Sequence, residues 1–389
     1  MKKIIFACAC IILTTTALFP QAAKTRNIVI IGDKENQEQI YIPSSIKVGP
    51  DGNIYILDDK DSFIKVYSPD GKFLRKMGGE GYGPGLMSRT GNFNFSDDNT
   101  LFFTEMMHGN PWITFLKLSG KLDRTLKLNI SGLFGIWRSV MLPDGRIIGE
   151  VHKFGDYERH GSFSVGYYPQ WLAIINKSGK IEKSPIKKDL VLSIRESPDK
   201  ADCKIPFFPE FLWAVDKNYN IIYSDGTVNY FQIFDFNGIP KGKIHTSLPN
   251  STPVTGKDLD EWRTKKKAEI IKKRGNEVYA KAYTVIEKYT TSIHPRKPIY
   301  SDLSITPDGN LLVQGYIDEE TRIRKYWLLD MSGKTLKEIT TTHVISISIS
   351  LHHIIFVKEN EDDENRVCCY RRKSTETEDF NQKLFEYEL

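Results

Sequence analysis

Between Ile46 and Gly85 four short apolar runs, Ile46 to Val48, Ile54 to Leu57, Phe63 to Tyr67 and Phe73 to Met77, are set among polar residues and punctuated by two PDG turns. Each run has the length and alternation of a strand, and the Pro and Gly of each turn supply dihedrals that end one, so the pattern predicts an antiparallel four-stranded meander. A lone meander cannot bury both of its faces. The chain repeats the pattern from Asn92, Ser139, Leu212, Asp302 and Ile345, and a separate strand is expected at Asn27 to Ile31.

The first turn of each unit falls at Gly52, Asn99, Gly145, Tyr219, Gly309 and His352, and three of the five intervals lie between 43 and 47 residues. That is the period of four-stranded propeller blades. The two longer intervals contain loops expected from Val151 to Gln170 and from Lys187 to Glu210, and a charged insertion from Thr255 to Pro298. The expected fold is all-β: a six-bladed β-propeller of four-stranded antiparallel blades spanning residues 24–389, with a helical insertion at 255–298 between blades 4 and 5. Within the insertion Gly275 separates two helices. Either Asn27 to Ile31 or Lys383 to Leu389 supplies the outer strand that closes the last blade.

The alternation of a PDGNIYILD segment with a VYSPDGKFL segment, followed by GEGYGPG, resembles the NHL-type six-bladed propellers, in particular a group of secreted bacterial propeller proteins. The likeness covers the mature chain and is sharpest in the first and fifth units. Where that group often carries GPGEF, this chain has Gly83, Pro84, Gly85, Leu86 and Met87. Some six-bladed propellers are calcium-dependent lactonases or lyases, so the resemblance implies calcium as the cofactor to test.

The leader MKKIIFACACIILTTTALFPQAA has a basic start, an apolar run from Ile4 to Phe19 and small residues at Ala22 and Ala23, the form of an export signal over residues 1–23. Cys8 and Cys10 within it raise a lipid-modified N-terminus as the alternative. Loss of Lys2 and Lys3 with the leader lowers the formal charge from +5 to +3, which gives no nucleic-acid footprint. No spanning segment is expected in the mature chain. The remaining cysteines, Cys203, Cys368 and Cys369, show no zinc spacing and read as buried thiols.

Turns between first and second strands, and between third and fourth, are short. Nearly all long connections join second to third strands or one blade to the next, and in a propeller these emerge on one face around the central channel. Their residues are rich in the aromatic and Arg side chains that grip partners. The candidate ligand-binding residues are Tyr82, Arg89, Trp112, Trp137, Arg138, His152, Tyr157, His160, Trp213 and Trp262, with Trp213 on a channel-lining first strand. Other polar residues expected on those first strands are Ser45, Lys47, Asn92, Asn94, Ser139, Asp302, Ser304, Ser346 and Ser348. His152 and His160 share a segment with Asp156 and Glu158, the one local His/carboxylate cluster suited to acid–base or metal chemistry. No activated Ser/His/Asp set and no oxygen cage stands out. The expectation is an exported, monomeric, non-catalytic binding propeller that holds a glycan, peptide or envelope protein, working without a cofactor in the periplasm, at the cell surface or outside the cell. The competing expectation is a metal-dependent hydrolase or lyase at the channel mouth.

Overall fold

A computed structural model describes residues 28–371, apart from 33–37, 82, 88–89, 97–98, 106–111, 131, 154–156, 161–162, 198–199, 204–206, 208, 210, 275, 277–295, 318–322, 343, 350–352 and 360–364. Strand β1 (Ile28–Ile31) precedes the first meander, β2 (Pro43–Val48), β3 (Ile54–Asp58), β4 (Phe63–Tyr67) and β5 (Phe73–Gly78). The second is β6 (Thr90–Phe95), β7 (Thr100–Glu105), β8 (Trp112–Lys117) and β9 (Leu122–Lys127). The third contains β10 (Leu133–Met141), β11 (Ile147–Lys153), β12 (Tyr157–His160), β13 (Phe163–Ile175), β14 (Ile181–Ser197) and β15 (Lys200–Cys203). Next come β16 (Leu212–Val215), β17 (Ile221–Ser224), β18 (Tyr230–Phe234) and β19 (Pro240–His245), then helix α1 (Gly256–Arg274). The fifth is β20 (Tyr300–Ile305), β21 (Leu311–Ile317), β22 (Ile323–Leu329) and β23 (Thr335–Thr342). The last has β24 (Val344–Ile349), β25 (His353–Glu359) and β26 (Asn365–Arg371).

Six four-stranded blades were expected, and this is corrected: five sheets have four strands and the third has six. The stretches 151–170 and 187–210, expected as loops, are largely strand. β12 follows the line of β11 along β13, pairing Tyr157 with Gly166 and His160 with Phe163, while β14 runs beside β13 from Ile181 to Arg195. Pro169 falls in the gap between the β11 and β12 ladders, where its missing N–H costs no hydrogen bond on that side. The result is a β-tongue continuing past Lys153, the last residue of β11 to pair with β10.

The first and last sheets meet through the N-terminal strand. β1 pairs with β26, matching Ile28 to Tyr370 and Ile31 to Val367, which decides the closing strand in favour of the N-terminal segment; Lys383 to Leu389 lie outside the described residues. The core lies between neighbouring sheets. Ile54, Ile56 and Tyr67 of the first pack against Ile355, Val357 and Cys369 of the last, and Tyr55, Leu57 and Val66 pack against Phe93, Leu101 and Phe103 of the second. Cys368 and Cys369 are buried thiols outside any disulfide.

A second contact sets the spacing around the ring. Each turn between third and fourth strands leans on the preceding sheet at its fourth strand from the inner edge, and two glycines show why no side chain is tolerated there. Gly179 and Gly333 have φ of +76° and +89°, and a Cβ on either would collide with a backbone carbonyl, that of Lys127 or of His245. Gly71, Gly120 and Gly238 occupy the same place against Val29, Met77 and Pro185.

Among the described residues α1 is the single helix, where two were expected; 277–295, which would carry the second, lie outside them. Its start is a capping box: the Asp258 N–H donates to Thr255 Oγ1 at 3.3 Å and the Thr255 N–H to Asp258 Oδ2 at 2.8 Å. Lys297 Nζ, 2.5 Å from Asp258 Oδ1, ties the far end of the insertion to the helix start.

Candidate functional site

Five of the six innermost strands slip register at the end away from their first turn, in β2, β6, β10, β20 and β24. Such bulges re-aim side chains at sheet rims. In β10 the slip sets Trp137 and Arg138 together against Glu150 of β11, the residue between Val151, paired with Ile136, and Gly149, paired with Ser139. Both of those side chains thereby meet the face of β11 that carries Glu150 and His152.

Glu150 is buried and accepts from four donors. His152 Nε2 and Gln170 Nε2 lie 2.9 and 2.6 Å from Oε1; Trp213 Nε1 and Arg138 Nε lie 2.7 and 3.3 Å from Oε2. Burial works against its charge, yet the His152 hydrogen bond and the Arg138 charge win and hold the carboxyl down at about 2. With both oxygens occupied and the group ionised, Glu150 is an anchor and is unsuited to general-base work. The bond to Glu150 also places the imidazole proton on Nε2.

Arg138 continues from this anchor across the centre. Its Nη2 donates to the Phe211 carbonyl at 3.3 Å, at the entry to the fourth sheet, and its Nη1 lies 3.0 Å from Asp302 Oδ1 in the fifth. The guanidinium also sits over the Trp213 ring, 5.6 Å from its centroid. Burial disfavours its charge, and Glu150 and Asp302 more than compensate, so its pKa is raised. Toward solvent, Trp137 stacks on the buried His152 ring, with centroids 4.9 Å apart and planes 24° apart, and remains 44% exposed.

Lys47 on β2 completes the group. It is half-buried and pairs with Tyr55 through its backbone, and its ammonium has no hydrogen-bond or ion-pair partner among the described residues. Enclosure, followed by the charge of Arg138, pushes its pKa down to about 8 against a smaller opposing effect of Asp302. The third and fifth sheets are thus tied by a charged contact, Arg138 to Asp302. Neighbouring inner strands are joined by neutral contacts, Ser45 Oγ to Asn92 Oδ1 at 2.7 Å and Asn94 Nδ2 to the Ser139 carbonyl at 3.0 Å.

Of the ten candidate residues, Trp137, Arg138, His152 and Trp213 come together around Glu150. Their placement differs from the loops expected for the first three: Trp137 and Arg138 lie in β10 and His152 in β11. Tyr157 and His160 belong to β12, where only the backbone is described, and Tyr82 and Arg89 lie outside the described residues. Trp112 opens β8, 5.8 Å from Lys127 Nζ of β9, on the outer half of the second sheet, and Trp262 is part of α1. Glu150 and Gln170 were missed. The signal for Glu150 was available: in IIGEVH, a strand rich in apolar residues carries Glu and His two apart, hence on one face. Among the described residues no three His, Cys, Asp or Glu side chains are grouped so that they could hold a metal ion.

No family model matches the chain, and no curated protein sequence matches it. Solved structures do. A member of the DUF4221 family from Bacteroides vulgatus superposes with a TM-score of 0.54 at 11% identity, covering 90% of this chain and 99% of that one. The chain is a β-propeller. This propeller also matches a candidate exported protein of Bacteroides fragilis (TM-score 0.49, 12% identity, 89% and 94% of the two chains). A third match is virginiamycin B lyase from Staphylococcus aureus (TM-score 0.41, 14% identity, 87% and 86%). At these identities the likeness is one of fold, and the propeller's chemistry must be argued from its own residues.

Proposed function

We propose that the chain is an exported, monomeric, non-catalytic binding propeller that holds a glycan at the long-loop end of its channel, on Trp137. The observation that carries this reading is a flat aromatic surface left open above a network that is otherwise closed. Trp137 is 44% exposed while the His152 beneath it is buried and fixed through Glu150. Indole faces of this kind give large contact area at low entropic cost, and the surface is organised before a ligand arrives. Catalysis has less support, because Glu150 has no free lone pair directed at a substrate and works as an anchor.

The finer architecture belongs to the same proposal. The six-stranded sheet takes the remaining place among six blades, its innermost four strands forming the blade and the β-tongue rising beside the ligand; Gly238 leaning on Pro185 of β14 supports this, since the equivalent glycines lean on outer strands. The leader favours export, and no helix of the described residues is long and apolar enough to cross a membrane. No cofactor is required, and a calcium-type hydrolase or lyase remains the rival.

A glycan array on the mature protein, repeated with Trp137→Ala, tests the reading. Binding that is lost in the variant, with a cooperative unfolding transition retained and no effect of EDTA, is expected. Calcium-dependent turnover of a lactone or ester, or an array unaffected by Trp137→Ala, would overturn it. Intact mass of the protein recovered from the envelope distinguishes cleavage after residue 23 from lipidation.

A further inference from the structure

Arg138 reaches past a whole sheet. The third sheet shares one apolar cluster with the fourth, and the fourth shares another with the fifth, so the 3.0 Å contact from Arg138 Nη1 to Asp302 Oδ1 crosses the space that the inner strands enclose. Its height is set by the register slips. Ser45, Asn92, Arg138 and Asp302 each stand seven residues before the first-turn residue of their sheet, Gly52, Asn99, Gly145 and Gly309, and each lies at or within the slip of its strand. Ser45 Oγ donates to Asn92 Oδ1 at 2.7 Å, so the four side chains make two bonded pairs at one level. Trp137 is one residue farther from the turn than Arg138, about 3 Å higher at the rise of a strand. One Arg side chain and one 3.0 Å contact therefore span the gap from the strand that carries the platform to Asp302. Only half of that carboxylate is used. Its Oδ1 accepts from Arg138 Nη1 and from the Leu303 N–H at 2.8 Å, its Oδ2 accepts from no group among the described residues, and the side chain is 51% exposed.

We propose that Asp302 is a specificity-determining ligand contact, its open Oδ2 accepting a hydrogen bond from a hydroxyl of a neutral sugar that rests on Trp137. This rests on the glycan-binding reading above and adds the class of glycan and the group that selects it. A carboxylate oxygen is an acceptor, so its partner must be a donor. Arg138 already supplies the counter-charge, which leaves the second oxygen to a neutral donor, and a sugar carries hydroxyls around the ring whose flat face the indole takes. The bond is charge-assisted, and a carboxylate oriented in advance by Arg138 and the Leu303 N–H loses little freedom in making it. Arg138 is the positioning residue: held through Nε by the buried Glu150, it carries the rigidity of that anchor across to Asp302.

Calorimetric titration of the mature protein with methyl β-galactoside and each of its monodeoxy analogues, in the parent and in Asp302→Ala, tests this. Removal of one particular hydroxyl is expected to weaken binding to the parent about tenfold or more, the order of one charge-assisted hydrogen bond. In Asp302→Ala that analogue and the complete sugar should bind alike, and Asp302→Asn, which keeps a carbonyl oxygen, should restore part of the difference. A residue that only held Arg138 in place would weaken all of these sugars equally when replaced and leave the cost of the missing hydroxyl unchanged. A cost that survives both substitutions, or no hydroxyl whose removal matters, overturns the inference while leaving the binding reading intact if Trp137→Ala abolishes binding of methyl β-galactoside. Failure of methyl β-galactoside to bind the parent overturns the inference and the reading together.

Discussion

Two charged networks in this propeller look alike on paper and behave oppositely. In the first sheet Asp58, at the end of β3, pairs with Lys65 of β4 at 2.7 Å, and both side chains are 0% exposed. The chain closes over them: the Tyr41 and Ile42 N–H groups donate to Asp58 at 2.8 and 2.9 Å, Lys65 Nζ donates to the Gln39 carbonyl at 2.5 Å, and Asp61 adds a second anion at 2.9 Å. In the third sheet Glu150 is bonded as completely, but the residues attached to it open outward. Arg138 is 29% exposed and Asp302 51%. The first network closes on itself and clamps the chain; the second carries the exposed Trp137 ring, where the proposed ligand would rest. The clamp here fastens residues 38–42 beside the closing strand.

The largest effect should come from opening the clamp. Lys65→Met leaves Asp58 buried with its charge uncompensated, and loss of one partner of a buried pair costs roughly 3–5 kcal/mol. Urea unfolding at pH 7 should show a loss of that size, with ligand binding intact in the folded fraction. Next is Glu150→Gln, which withdraws the charge holding Arg138 and replaces one of the two acceptor oxygens with a donor, leaving either the His152 and Gln170 pair or the Trp213 and Arg138 pair without its acceptor, and should cost roughly 2–3 kcal/mol. The same residue gives a pH signature. Its folded pKa is depressed, so its contribution is complete above the unfolded value near 4.5 and is lost as pH falls toward about 2. The stability difference between parent and Glu150→Gln should therefore shrink across that window.

Lys47→Met reverses the sign. A lysine whose folded pKa is lowered is a net cost below that pKa, relieved as pH rises from about 8 to 10.5. The variant should be more stable than the parent by about 1–2 kcal/mol at pH 7, a figure reduced from the full shift because the side chain is partly solvated, and the advantage should vanish above pH 10. Trp137→Ala should cost roughly 2 kcal/mol of stability, well short of a fully buried tryptophan, since 44% of the residue is already in water. Its effect on binding should be the largest of the set.

The blade pattern was legible because PDG and SG turns fix dihedrals locally and the runs between them alternate, which needs no tertiary information. The third sheet was misread for a physical reason. Residues 163–168, FSVGYY, and 187–197, KKDLVLSIRES, mix Gly, Lys and Ser with the apolar residues, so their alternation is weaker than that of the other blade strands. Closure could not be decided from two short apolar segments of similar length; the pairing of Val29 with Cys369 decides it. Residue type alone drew attention to Trp137, Arg138, His152 and Trp213. Glu150 escaped because it lies inside a strand and its importance depends on a donor from another sheet, the Trp213 indole.

The contrast between clamp and open site is tested most directly by making one substitution at two lysines of the same sheet. Urea unfolding of Lys65→Met and Lys47→Met at pH 7, against the parent, should move in opposite directions: a large loss for the first and a modest gain for the second. A loss at Lys47 comparable to that at Lys65 would mean that both lysines are structural, and the open site would have no support.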